Sequence, residues 1–345
     1  MKLKILLAIC ICITAMLLGI GIGSVNIPPL DNVRVLAHQL FGVDLPENIS
    51  PENVSIVWNM RTPRTLLAFF VGAALSASGA VMQSVLRNPL ASSYTLGVAS
   101  GASLGASLVI FLGVSLPVIP MMTLPILGFS FGLGTIFIVV ALASRMDRGL
   151  TNHTIILLGM VFSLFVNAVT TLMFALFRES TQRMINWQMG SFAPRTGWRT
   201  WDILMILVPI VFVGCILIYR KSFEMDIMTF GEEQAQTIGV NTKRAKWVLL
   251  VYGAALTGAS IAFTGTIGFV DLVAPHIVRK IFGSGHKIVI PMSAIFGGTF
   301  MVLADLVART ILAPIELPVG VITALIGAPF FAYIYFVKRK EHRYV

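Results

Sequence analysis

Ionisable residues are scarce in this sequence, and several of them lie inside long apolar segments. Asp305 and Arg309 are four residues apart, so they share one face of a helix and can pair there. Asp271, His276 and Arg279 cluster in another apolar segment, where Asp271 has no partner close in sequence. Ionisable groups at membrane depth are expensive, and they usually mark a structural pair or a transport path. The residues leave both interpretations open.

Motifs that would give the chain a catalytic centre are absent from the sequence. It contains no phosphate-binding GxxxxGK[ST] pattern, no zinc-type His/Cys cluster, no nucleophile elbow and no kinase signature. Cys10, Cys12 and Cys215 lie within apolar runs and lack ligand spacing. A membrane-embedded enzyme is therefore disfavoured, and no cofactor or metal is predicted on this chain. If ATP powers the protein, a partner chain binds the ATP and its Mg²⁺.

The segment 220–246 is polar and is punctuated by glycines. After Gly231 it predicts a short helix with Glu232 and Glu233 in its first turn, where the helix dipole favours acidic groups. Two interpretations fit this pattern, a solvated amphipathic loop or a docking element for a cytoplasmic partner.

The composition decides which class of protein must position these residues. Of the 345 residues, 57% are hydrophobic and 12% are charged, and the mean hydropathy is +0.88. Soluble domains carry about 25% charged residues, and a soluble fold could not hide so much apolar surface. The chain is therefore predicted to be an all-α polytopic membrane protein, which excludes a soluble enzyme, a nucleic-acid binder and a disulfide scaffold. The net charge of +10 then indicates basic cytoplasmic loops.

About 20 apolar residues cross a bilayer, and the sequence offers ten candidate spans. The first follows Lys2 and Lys4 and is predicted to be a retained helix rather than a signal peptide, because no clean cleavage site follows it. The spans are predicted at 5–23, 63–85, 93–113, 117–143, 154–177, 201–219, 247–266, 268–283, 291–312 and 317–337.

The distribution of Lys and Arg predicts the orientation in the cell membrane. With both termini in the cytoplasm, every lysine lies inside. The basic residues predicted inside are Lys2, Lys4, Arg87, Arg145, Arg148, Arg220, Lys221, Lys243, Arg244, Lys246, Arg279, Lys280, Lys287, Lys338, Arg339, Lys340 and Arg343. The arginines predicted outside are Arg34, Arg61, Arg64, Arg178, Arg183, Arg195, Arg199 and Arg309. The outer arginines depart from the rule and need a reason.

Small residues indicate close helix packing and a faint internal repeat. Gly97, Gly101 and Gly105 recur every four residues, which lets helices approach closely. The sequence GAALS at 72–76 returns as GAALT at 253–257, on spans of opposite predicted direction, as in the inverted repeats of transporters. One transmembrane domain, 1–345, is predicted. Its parts are a first helix and outer loop (1–60), a first repeat (61–200), a linking helix and cytoplasmic loop (201–246) and a second repeat with a tail (247–345).

A series of motifs identifies a family resemblance that runs from about residue 60 to residue 337. The motifs are RTPRTL (61–66), GAALSASGAVMQ (72–83), RNPLA (87–91), LGVASGASLG (96–105), FGEEQA (230–235), IGFVDLVAPHIVR (267–279) and ELPVGVITALIGAPFF (316–331). In this order and spacing the chain resembles the FecCD family of ABC importer permeases, which serve iron–siderophore, haem and cobalamin uptake. Asp271 departs from the family pattern, which usually has Gly at that position.

The resemblance implies an assembly and a mechanism. It implies two permease chains, identical or different, around a central path, two ABC ATPase subunits below them, and an extracytoplasmic substrate-binding protein above. ATP-dependent closure of the ATPase subunits would drive alternating access. The leading expectation is a permease for an iron–siderophore complex, with haem or cobalamin as alternatives. An ion-coupled secondary transporter is the alternative from another class.

The resemblance also assigns roles to particular residues. Arg61, Arg64 and Arg309 match arginines that meet glutamates of the binding protein, and Arg61 and Arg64 are expected to place their guanidinium groups near the membrane surface. Gly231, Glu232 and Glu233 match the coupling segment that contacts the ATPase. Asn152 and His153 align with a cytoplasmic gate. Gly97 and Gly101 are expected at the gate or pore.

Overall fold

We describe the protein from a computed structural model. It describes residues 1–341 except Ser24, Glu47, Arg148 and 194–199, with side chains as far as Tyr333. Of the basic residues assigned a side above, Arg148, Arg195, Arg199 and Arg343 lie outside the described residues, as do the side chains of Lys338, Arg339 and Lys340.

All regular elements in the described part of the chain are helices. A π-helical turn, Ile56–Arg61, leads into the fourth helix, and 3-10 turns lie at Pro120–Met122 and Arg178–Ser180. The α-helices are α1 (Lys2–Gly21), α2 (Pro29–Phe41), α3 (Pro51–Ser55), α4 (Thr62–Val85), α5 (Val98–Leu112), α6 (Thr123–Met146), α7 (Asn152–Leu176), α8 (Thr181–Gln188), α9 (Thr200–Arg220), α10 (Ser222–Thr229), α11 (Glu232–Thr237), α12 (Thr242–Thr264), α13 (Val270–Phe282), α14 (His286–Thr310) and α15 (Val319–Glu341).

Each of the ten predicted spans corresponds to a helix. Among the residues with described side chains, seven helical segments are long and apolar enough to cross a membrane, and Val98–Leu112 and Val319–Tyr333 are shorter apolar stretches. The third predicted span, 93–113, is wrong at its start, because residues 86–97 form turns and α5 begins only at Val98. The eighth is the short helix α13, which contains Pro275. The all-α polytopic class is confirmed.

Helix α4 lies at the centre of the bundle and packs against its neighbours through small residues. A Cβ added at Gly72 would lie 2.3 Å from the Gly297 carbonyl oxygen on α14. One added at Gly79 would lie 1.9 Å from the Asp271 carbonyl oxygen on α13. These helices therefore touch backbone to backbone, which only the absence of a side chain allows. The predicted close packing is confirmed at these crossings.

The two copies of the small-residue motif lie on helices that pack together, α4 and α12. Ser78 donates a hydrogen bond to the Gly253 carbonyl oxygen at 2.8 Å. The loops that precede α5 and α13 also meet in the interior, where the Tyr94 hydroxyl donates to the Ile267 carbonyl oxygen at 2.5 Å. Corresponding parts of the two proposed halves are thus in contact. The inverted relation between them stays a prediction.

Candidate functional site

Chemically distinctive residues gather at the two ends of the bundle. We call the end where α1 begins the amino-terminal end; there Lys4 donates to the Ile281 carbonyl oxygen on α13 at 3.1 Å. It also carries α10, α11 and the loop 147–151. We call the other the far end; it carries the last turn of α1, Arg61 and Arg309.

At the far end, two arginines cap the last turn of α1. Arg61 donates from Nη1 to the Gly21 carbonyl oxygen at 2.9 Å, and from Nη2 to the Val25 carbonyl oxygen. Arg309 donates from Nη2 to the Gly19 carbonyl oxygen. The last carbonyl groups of a helix have no partner within the helix, so these guanidinium groups satisfy acceptors that α1 leaves open.

A third arginine, Arg64, is held between two carboxylates. Its Nη2 lies 2.9 Å from Oδ1 of Asp305 on α14, and its Nη1 lies 2.9 Å from Oε2 of Glu316. Its Nε also reaches both oxygens of Asp305, at 3.1 Å each. The planar guanidinium group suits such paired recognition of carboxylates. Asp305 has only a longer contact with Arg309, 3.7 Å from Oδ2 to Nε, so its principal partner is Arg64.

Arg61 and Arg64 lie at the far end but do not expose their guanidinium groups to solvent, and their place near the membrane surface stays a prediction. Arg61, Arg64 and Arg309 are 5%, 8% and 6% exposed, and each is engaged by groups of the same chain. The physical reason is that α1, α4 and α14 converge here, so the arginines meet open carbonyl groups and carboxylates. Docking of a binding protein on these arginines is untested and stays a prediction. Glu316 is the accessible member of the cluster, with 45% of its side chain exposed.

Sequence reasoning missed Glu316. It is the first residue of the motif 316–331, but its partner Arg64 lies 252 positions away in the chain. A charged residue just before an apolar span was the only available signal.

At the amino-terminal end, α10 and α11 form a polar segment between α9 and α12. The predicted short helix between glycines is present as α11, which follows Gly231 at a φ of +133°. Phe230 and Ile238 flank α11 and are 76% and 63% exposed, and Glu233 is also exposed. The segment therefore presents an acidic and apolar surface.

Glu232 does not belong to that surface. Its Oε1 accepts a hydrogen bond from Lys246 Nζ at 2.6 Å, and Lys246 itself is fully buried. Glu232 is therefore held partly by an internal pair, and the contact of Glu232 and Glu233 with a partner stays a prediction. The internal pair forms because the start of α12 brings an ammonium group beneath α11.

A series of side-chain contacts through Asp226, His286 and Ser84 anchors α10 to the bundle. Asp226 Oδ1 accepts from the His286 backbone N–H at 2.9 Å and lies 2.5 Å from His286 Nδ1. His286 Nε2 lies 2.6 Å from Ser84 Oγ on α4. The order of contacts is that of a serine-hydrolase triad, but Ser84 is 7% exposed and packed in the interior. The chain of contacts therefore joins α10, α14 and α4 rather than forming a catalytic centre.

The predicted gate residues lie at the start of α7, behind a tightly turned loop. Asp147 accepts hydrogen bonds from the backbone N–H of Gly149 at 2.8 Å and of Thr151 at 2.9 Å. His153 is exposed. The Oδ1 atom of Asn152 is buried and has no hydrogen-bond partner among the described residues. Their role as a gate stays a prediction.

Gly97 and Gly101 lie inside the chain. Gly97 adopts a φ of +87°, and a Cβ added there would lie 3.0 Å from Ser163 Oγ on α7. A Cβ added at Gly101 would lie 2.6 Å from the Phe131 carbonyl oxygen on α6. Both glycines thus serve close contacts within one chain, which favours packing over the predicted place in a pore.

Asp271 occupies the first turn of α13 and is 2% exposed. Its carbonyl oxygen accepts from Gln83 Nε2 at 3.2 Å, which ties α13 to α4. Within the part of the chain that the structure describes, its Oδ2 atom has no hydrogen-bond partner. The fold does give the Asp271 carboxyl group a side-chain hydrogen bond with Ser92, a residue that sequence analysis did not connect with it.

A polytopic helical bundle with buried charges and a polar segment at one end has the architecture of a membrane transport subunit. The chain belongs to the FecCD transport family, whose model matches residues 9–337. An uncharacterized ABC transporter permease protein of Bacillus subtilis, YvrB, is 40% identical to it over 93% of this chain and 89% of its own length.

Two other relatives carry names that state a cargo. The cobalamin import system permease protein BtuC of Halobacterium salinarum is 38% identical over 81% of this chain and 73% of its own. The Fe(3+)-citrate import system permease protein YfmE of Bacillus subtilis is 34% identical over 83% and 84% of the two chains.

A solved structure agrees with this assignment. It is an inward-facing conformation of a metal-chelate type ABC transporter, with a TM-score of 0.83, 27% identity, and coverage of 97% of this chain and 99% of that one. The chain is therefore an ABC importer permease, a multi-pass transport subunit rather than an enzyme. ATPase and binding-protein partners follow from that class.

Proposed function

We propose that this permease passes an iron–siderophore complex from an extracytoplasmic binding protein into the cytoplasm, powered by separate ATPase subunits. The family match over residues 9–337 carries the transport class. The iron cargo is supported by the relative named for Fe(3+)-citrate import and by the metal-chelate type of the similar structure. Membership of an ABC importer family excludes the ion-coupled transporter that the sequence left open.

Cobalamin is the second candidate cargo, and haem is a third. The relative named for cobalamin import is 38% identical, slightly above the 34% of the iron–citrate relative. Both identities describe the permease, whereas in this proposal the binding protein selects the substrate.

We propose that the amino-terminal end faces the cytoplasm and the ATPase, with both chain termini on that side of the cell membrane. All described lysine side chains lie at this end, as expected for the cytoplasmic side. The same end exposes Phe230, Glu233 and Ile238, which offer a contact surface for the ATPase. The far end then faces the binding protein, and Glu316 is the accessible member of its Arg64 cluster. Two permease chains, identical or different, complete the path.

The test is reconstitution in liposomes with the cognate ATPase and binding protein. Ferric siderophore, haem and cobalamin are offered separately, each with and without ATP inside. We expect ATP-dependent accumulation of the ferric siderophore only. Accumulation of cobalamin or haem instead would overturn the iron assignment, and accumulation by the permease alone would overturn the ABC mechanism.

A further inference from the structure

Lys246 joins two segments that are far apart in sequence. Its side chain is fully buried. Its Nζ donates to Glu232 Oε1 on α11 at 2.6 Å and to the Leu150 carbonyl oxygen at 2.8 Å. A buried ammonium group is very unfavourable unless it is paired and hydrogen-bonded. Both contacts are therefore needed to keep Lys246 in place.

The loop that carries Leu150 is itself tightly constrained. Leu150 is 2% exposed and adopts a φ of +52°, in the left-handed region that non-glycine residues rarely occupy. Asp147 closes the loop by accepting from the Thr151 backbone N–H at 2.9 Å and from Thr151 Oγ1 at 2.6 Å. Helix α7 begins directly afterwards at Asn152. A displacement of Leu150 must therefore move the start of α7.

We propose that Lys246 is a positioning residue that transmits movement of α11 to the start of α7. This inference rests on the proposed function, in which α11 contacts the ATPase. The ATPase would displace α11 through its exposed residues, Glu232 would carry the displacement to Lys246, and Lys246 would carry it to Leu150. Helix α11 and Leu150 would then move as one unit, linked through the Lys246 side chain.

The test replaces Lys246 with Met, an unbranched side chain one atom shorter, which removes both hydrogen bonds. The variant is assembled with the ATPase and binding protein in liposomes, and substrate transported per ATP hydrolysed is measured. We expect assembly and basal hydrolysis to persist and the transport ratio to fall roughly tenfold, a typical size for coupling between sites. Lys243→Met, on the same helix but exposed, is the matched control and should keep the wild-type ratio.

Two further variants separate transmission from a merely structural role. Lys246→Arg keeps a charged donor that can reach both acceptors and should restore most of the transport ratio. Glu232→Gln should lower the ratio by itself, and adding it to Lys246→Met should cause little further loss, because both act on one connection. A wild-type ratio in Lys246→Met, or loss of assembly that Lys246→Arg does not repair, would overturn the proposal.

A failure of the Lys246 proposal can be distinguished from an incorrect assignment of the cargo. Stimulation of ATP hydrolysis by the loaded binding protein is measured in the same liposomes and does not depend on which cargo is carried. If Lys246→Met loses this stimulation while Lys243→Met retains it, the proposal stands even where the cargo proves to be cobalamin or haem.

Discussion

At the scale of single residues, the arginines of the far end show that buried charges are paired with groups of the same chain. Arg64 makes contacts with two carboxylates, and only Glu316 among the three groups is substantially accessible. Removing one member of a buried ion pair leaves the others uncompensated. The cluster therefore contributes to the stability of the far end, whatever it contributes to docking.

We expect Arg64→Ala to destabilise the permease by about 3–5 kcal/mol, because Asp305 is left buried without its principal partner. Arg64→Lys should recover only part of this loss, since an ammonium group cannot engage both carboxylates through a planar fork. Thermal unfolding in detergent measures the effect, and Arg183→Ala, at an exposed site on α8, is the control. Equal stability of the Arg64→Ala and Arg183→Ala variants would contradict this role.

The stability that Asp147 gives to the loop before α7 should depend on pH only under strongly acidic conditions. Hydrogen bonds from the Thr151 side chain and backbone, and from the Gly149 backbone, lower the pKa of Asp147 from 3.8 to about 2. Because the folded pKa is depressed, the contribution of Asp147 is complete above pH 3.8 and is lost as the pH falls through 2.

We therefore expect Asp147→Asn to lower the unfolding temperature relative to wild type at pH 6, and the difference to vanish near pH 2. Unfolding of both proteins in detergent across this range is the measurement. A difference that disappears already between pH 5 and 7 would show that another group is responsible.

At the scale of helices, glycines determine how closely α4 approaches its neighbours. We expect Gly79→Ala to destabilise the fold by about 1–3 kcal/mol through overpacking, because its Cβ would overlap the Asp271 backbone, which cannot rotate away. Gly134→Ala on α6 is the control, since no atom lies within 4 Å of the added Cβ. It should be neutral or slightly stabilising, and a similar loss in both variants would remove the packing explanation.

The exposed face of α11 can be tested without disturbing Lys246. We expect Glu233→Lys to weaken the complex with the ATPase, because it reverses a charge at the helix end that faces the proposed partner. Charge-assisted hydrogen bonds contribute about 1.5–3 kcal/mol each, so a loss of roughly tenfold or more in affinity is expected. Co-purification and titration of the ATPase measure it, and unchanged affinity would exclude Glu233 from the contact.

At the scale of the whole molecule, transport requires chains that this sequence does not contain. We expect the purified permease to show no ATP hydrolysis, since the sequence lacks a phosphate-binding loop. With its ATPase subunits in a bilayer, hydrolysis should rise when the loaded binding protein is added. Hydrolysis by the permease alone, after removal of contaminating ATPases, would contradict this division of labour.

The sequence by itself determined the class of fold. Apolar segments of about 20 residues must form helices in a bilayer, because an unpaired backbone cannot lie in hydrocarbon. This local requirement predicted helices at each of the ten spans. The prediction was least accurate at α5, where the uncharged residues 93–97 form turns and concealed the true start at Val98.

The tertiary structure decided the partner of each buried charge. Arg64 meets Asp305 and Glu316 across 241 and 252 positions, and Glu232 turns inward because Lys246 lies beneath it. A spacing of four residues allowed Asp305 to pair with Arg309, and that contact is present at 3.7 Å, but the convergence of α4 and α14 places the Arg64 guanidinium group closer, at 2.9 Å. Contacts between distant segments depend on how helices cross, and that crossing is determined by packing across the whole bundle.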